Sequence, residues 1–119
     1  MNFDIDNNDK FTLVKCNFDK LDTTVAPELK SQFLLLDKSG VLNYVLDLTD
    51  VKYCDSSGLS AMLVGNRFAA NSDGCFVICG LQPSVEKIIT ISQLHTVLNI
   101  CLNQTEAINF ILKMDHKIK

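Results

Sequence analysis

The sequence predicts an α/β fold, and three observations carry that reading. Short apolar runs of strand length, Phe11–Phe18, Leu42–Leu48 and Cys75–Cys79, recur along the chain. Between them lie stretches of helical periodicity, introduced by capping or turn residues. With 119 residues, 47% of them hydrophobic, residues 1–119 suffice for one domain with a core. Folding at this size buries roughly two-thirds of the extended chain's surface. Strands that alternate with helices imply βαβ crossovers, a mostly parallel sheet and layers on both of its sides.

Each element has its own signal. Phe11–Phe18 is rich in β-branched and aromatic residues and can pair with a short strand near Phe3–Ile5. Asp22, Thr23 and Thr24 can cap a following helix, with Pro27 acceptable in its first turn. Ala26, Leu29, Phe33 and Leu36 then form one buried stripe, and Gly40 closes that helix. Leu42–Leu48 is nearly all apolar, as expected of a strand covered on both faces. A second helix begins near Ser57, with Leu59, Met62, Leu63 and Ala70 on its apolar side and Gly65 as a close-packing point. The turn signal Asn71-Ser72-Asp73-Gly74 precedes the strand Cys75–Cys79. Pro83 opens a third helix whose Val85, Ile88, Ile89 and Ser92 share a face. A short edge strand around Val97–Cys101 follows. Thr105 can cap a last helix, with Ala107, Ile108, Ile111, Leu112 and Met114 as its apolar contacts.

Composition narrows the function. The formal net charge is -3, with acidic and basic residues interspersed. No basic stripe is present to neutralise phosphates, so direct nucleic-acid binding is not expected. No apolar run is long enough to span a bilayer, and the polar start does not read as a signal peptide. A cytoplasmic location is the resulting expectation. The five cysteines, Cys16, Cys54, Cys75, Cys79 and Cys101, lie mostly in apolar runs and read as small buried hydrophobes in a reducing compartment. His95 and His116 belong to no metal-binding spacing, so neither metal nor cofactor is expected.

One segment combines the residue types that chemistry needs. Asp55-Ser56-Ser57-Gly58 stands at a strand-to-helix junction, where free backbone N–H groups point outward and a phosphate is well tolerated. A phosphoserine adds about 1.5–2 negative charges and three strong acceptors. Beside Asp55, that charge would repel a closely packed partner. The same residues also serve as ordinary capping and loop residues. The segment is neither GxSxG nor GxxxxGK[ST], and no histidine is placed as a base, so no catalytic residue is expected.

The chain resembles the STAS domain family, and within it the small bacterial anti-sigma factor antagonists. The likeness rests on three blocks in order: Leu21–Leu29, Leu46–Leu59 and Gly74–Val85. The resemblance implies a mixed sheet of four to five strands, with about four helices packed mainly on one face. It implies that Ser57 is the phosphoacceptor of a partner that is both an anti-sigma factor and a GHKL-type serine kinase. The unphosphorylated form would bind that partner and free the sigma factor, and a PP2C-type phosphatase would reset the switch. Asp22, Thr23, Thr24, Asp55, Ser56, Gly58 and Leu59 are implied as the partner-binding surface, with Gly58 permitting close approach. The chain departs from the family pattern at Asp19, where glycine is usual, and at Cys54, where methionine or another apolar residue is common. Two further readings stay open: a small-ligand or nucleotide sensor using the junction as an anion site, and a structural STAS subunit of a signalling or transport assembly.

Overall fold

The computed structural model describes residues 2–118, with side chains up to residue 114. The chain opens with two antiparallel strands, β1 (Phe3–Asn7) and β2 (Thr12–Cys16), in which Phe3 lies opposite Cys16 and Asn7 opposite Thr12. Asn8 turns the hairpin: its Oδ1 accepts hydrogen bonds from the Lys10 and Phe11 amides. A two-residue strand β3 (Lys20–Leu21) leads into α1 (Ala26–Lys38). Then come β4 (Tyr44–Asp47), the short β5 (Tyr53–Cys54), α2 (Ser56–Asn71), β6 (Phe76–Cys79) and α3 (Pro83–Ile91). A 3-10 turn, the edge strand β7 (Asn99–Cys101) and α4 (Gln104–Ile118) complete the chain.

Five strands form one mixed sheet in the order β1-β2-β4-β6-β7. Only the β1–β2 pair is antiparallel; the other three pairings are parallel. Alternation along the strands divides the interior in two. Val14, Tyr44, Leu46, Phe76 and Ile78 face α1, α2 and α3, while Val45, Val77 and Cys79 face Ala107 and Ile111 of α4. Helices thus cover mainly one face, and α4 alone closes the other. Because β4 and β6 are buried on both sides, Tyr44–Leu46 and Phe76–Cys79 read as continuous apolar runs rather than alternating ones, with Asp47 as the one buried carboxylate.

The larger core is organised around aromatic rings. Phe33 meets Phe76 and Tyr44 edge to face, with centroids 5.6 and 5.9 Å apart. Gly65 lets α2 approach them, since a β-carbon there would sit 2.6 Å from Phe76 Cε1 and 2.9 Å from Phe33 Cε2. The close-packing expectation at Gly65 therefore has a definite partner. Other expectations shift by a residue or two. Ala61 and Ala69, not Ala70, are the buried alanines of α2, and Ser92 is exposed just beyond α3. Among the described side chains of α4 only Ala107 and Ile111 are fully buried, while Leu112 and Met114 remain exposed. Its cap is Asn103, whose Oδ1 accepts the Glu106 amide at 2.9 Å, two residues ahead of Thr105. Several residue types can cap, so spacing alone did not choose between them.

Asp47 ties the two faces together. It is 3% exposed; one carboxylate oxygen accepts from the Thr49 amide (2.8 Å) and hydroxyl (2.5 Å), the other from Gln104 Nε2 (2.5 Å). Burial pushes its pKa up, but hydrogen bonds from Thr49 and Gln104, with the charge of Lys15, outweigh burial and hold it below 3.8. A carboxyl depressed on folding contributes its stability in full above the unfolded value and loses it as pH falls through the folded one. The melting temperature should therefore fall as the pH drops below about 4. Asp47→Asn should flatten that acid limb while lowering stability at neutral pH by about 1–3 kcal/mol. Thermal melts of both proteins from pH 7 to pH 2 check this, and parallel acid limbs would exclude Asp47 as their source.

Candidate partner-docking site

The Ser57 segment is positioned by a small structure separate from the main sheet. Strands β3 and β5 pair in parallel, Lys20 with Tyr53 and Leu21 with Cys54. The Asp19 carbonyl accepts the Lys52 and Tyr53 amides at 2.7 and 3.1 Å, and the Leu21 carbonyl accepts the Asp55 amide at 3.3 Å. These bonds hold the start of α2 beside the Asp22–Thr24 turn, joining residues more than thirty apart in sequence.

Asp55 is the N-cap of α2, with extended backbone; its Oδ1 accepts the Ser57 amide at 2.9 Å and the Gly58 amide at 3.1 Å. The amides expected to receive a phosphate are thus already occupied by a carboxylate. Asp22 performs a related task before α1. Its Oδ1 accepts the Thr24 amide (2.9 Å) and hydroxyl (2.6 Å), and its carbonyl accepts the Val25 and Ala26 amides. The Thr24 hydroxyl and amide, more than any nearby charge, hold the Asp22 carboxyl below its ordinary range. The expected cap is therefore an Asx turn set one turn ahead of α1.

An open recess of about 330 Å³ separates α1 from the first turn of α2, lined by Thr23, Pro27, Lys30, Ser56, Ser57 and Ser60. Ser56 and Thr23 are exposed and Ser57 half-buried. Among the described residues the Ser57 hydroxyl has no hydrogen-bond partner, yet it is not a buried unpaired group, so its oxygen is open to solvent. Asp22, Thr23, Thr24, Asp55, Ser56 and Ser57 thus gather at one surface. Gly58 and Leu59 are turned inward instead. Leu59 is 8% exposed and belongs to the main core. A β-carbon on Gly58 would lie 2.5 Å from Cys54 Sγ and 2.6 Å from the Leu21 carbonyl oxygen. The smallness of Gly58 serves contacts within the chain.

Sequence reasoning missed Lys30 and Ser60, which line the recess. Nothing marks them in the sequence, because the β3–β5 pair that brings the two segments together is too short for periodicity to reveal. Asp19 is exposed, and its carbonyl supports β5. Cys54 is buried, and burial, then the charge of Asp55, pushes its thiol up to about 12. Burial likewise raises Cys75 to about 11 and Cys79 to about 12. Such thiols stay protonated at neutral pH, which fits packing rather than redox chemistry.

His95 is exposed, and His116 lies outside the residues whose side chains are described. Among the described residues no group of three or more His, Cys, Asp or Glu side chains could hold a metal ion. No described helix is long and apolar enough to cross a membrane. The larger recess, about 500 Å³ between the β1–β2 hairpin and the segment 39–43, lies at the other end of the sheet and gathers no chemistry of this kind.

Residues 2–107 match the family model of the STAS domain. Solved structures share the fold across nearly the whole chain. An anti-sigma factor antagonist from Mycobacterium paratuberculosis is 17% identical with a TM-score of 0.81, covering 92% of each chain. An anti-sigma-factor antagonist (STAS) domain protein from Planctomyces limnophilus is 19% identical with a TM-score of 0.79, covering 94% of this chain and 96% of its own. The phosphorylated form of the Bacillus cell fate determinant SpoIIAA is 18% identical with a TM-score of 0.71, covering 92% and 98%. At these identities the likeness is one of fold.

Proposed function

The chain belongs to the STAS domain family, and from that premise we propose that it is an anti-sigma factor antagonist, a binding module whose docking is controlled by phosphorylation of Ser57. Unmodified, it sequesters an anti-sigma factor with GHKL-type serine kinase activity, and the sigma factor is released. Phosphorylated, it lets the partner go until a PP2C-type phosphatase restores the hydroxyl. The observation that carries this reading is the Ser57 hydroxyl, unpartnered among the described residues and accessible to solvent in the lining of the recess. Exposed Thr23 and Ser56 line the same recess, Thr24 is exposed next to Thr23 in the chain, and together they offer a surface on which another protein can pack. A phosphate acquired there introduces bulk and about two negative charges where that surface must close.

The rival reading, an anion or nucleotide sensor at the same junction, has less support because Asp55 already engages the Ser57 and Gly58 amides. Incubating the chain with its cognate kinase and ATP, then mapping the phosphate by mass spectrometry, tests the proposal. Modification confined to Ser57 is the expected result. Phosphate found only elsewhere would overturn it, and calorimetric binding of a nucleotide without any partner would favour the rival.

A further inference from the structure

We propose that Lys30 holds the phosphoryl group on Ser57, acting as a positioning residue that receives the new charge within the chain itself. The biological setting of this contact rests on the function proposed above; the contact itself rests on geometry. A phosphate attached to Ser57 needs donors or a cation nearby. Two backbone donors of this helix start, the Ser57 and Gly58 amides, are bonded to Asp55 Oδ1, and that carboxylate repels a second anion. The recess beside Ser57 offers one basic residue among the groups that line it, Lys30 on α1. Lys30 is half-buried, and among the described residues its ammonium has neither an ion-pair nor a hydrogen-bond partner. The hydroxyls of Thr23 and Ser60 line the same recess and can add neutral hydrogen bonds.

The arrangement has a consequence for switching. A phosphate drawn into the recess toward α1 bridges α1 and α2, so the modified surface differs from the unmodified one in shape as well as in charge. Substituting Lys30 would leave the phosphate free to swing into solvent beside Asp55.

The test uses the full chain with phosphoserine installed at position 57 during translation, so no kinase is required. Phosphorus NMR then follows the second ionisation of the phosphate, ordinarily near pH 6. An ammonium in contact favours the dianion, whereas Asp55 and Asp22 oppose it in every variant alike. The midpoint should lie about half a pH unit lower in the parent chain than in Lys30→Gln. Lys30→Arg should restore it, and added salt should shrink the difference. Equal midpoints in the parent chain and Lys30→Gln would overturn the inference. The two readings fail separately: a kinase that ignores Ser57 defeats the function proposed above, while the midpoint measured on the installed phosphate still decides the role of Lys30.

Discussion

Ser57→Ala is expected to bind the kinase partner as tightly as the parent chain and to keep doing so after ATP is added. The parent chain should lose affinity by about a hundredfold or more once phosphorylated, since like charges pressed together at a tight interface oppose docking by several kcal/mol. The physical basis is local. The Ser57 hydroxyl makes no hydrogen bond among the described residues, so its removal should change folding stability by no more than about 0.5 kcal/mol. Ser57→Asp should weaken binding by about tenfold, because one carboxylate carries less charge and fewer acceptors than a phosphate. Calorimetry of the three proteins with the partner, before and after ATP, reads all of these effects. An unmodified Ser57→Ala that fails to bind, or phosphorylation that leaves affinity unchanged, would remove the hydroxyl from the centre of the switch.

Gly58→Ala is expected to lower stability and partner binding together. In an open helix this exchange stabilises by about 1 kcal/mol, because alanine has the higher helix propensity. Here the added methyl would enter space held by Cys54 Sγ and the Leu21 carbonyl oxygen. A sulfur can rotate away, but the carbonyl is part of β3 and accepts the Asp55 amide. Relief therefore has to move backbone, and the net result should be a loss of about 1–3 kcal/mol. The same shift would disturb the β3–β5 pairing that keeps Asp22 and Ser57 on one surface, so partner binding should weaken along with stability. Combining Gly58→Ala with Cys54→Ala should yield a smaller loss than the two single losses added together, since both changes act on one contact. Denaturant melts of the four proteins decide the matter. A stabilised Gly58→Ala would mean that this junction is looser than its packing implies.

The strands buried on both faces were legible in the sequence because β4 and β6 have little choice of residue: apart from Asp47, whose carboxylate is fully hydrogen-bonded, every position is apolar or aromatic. The stripe Ala26, Leu29, Phe33 and Leu36 was equally legible, since burial on one side of a helix imposes its period. The junction at Asp55–Gly58 was visible as chemistry, a carboxylate and two hydroxyls at the start of a helix. The sequence by itself thus determined the layers and the location of the Ser57 hydroxyl at a helix start. Tertiary structure decided how that hydroxyl is set. Asp55 turns inward to its own helix and occupies the amides, Gly58 and Leu59 point into the core, and two residues of β3 against two of β5 draw Asp22 and Lys30 to the same place. Contacts between distant segments, each only one or two residues long, leave no period to read, and so they exist only once the chain has folded.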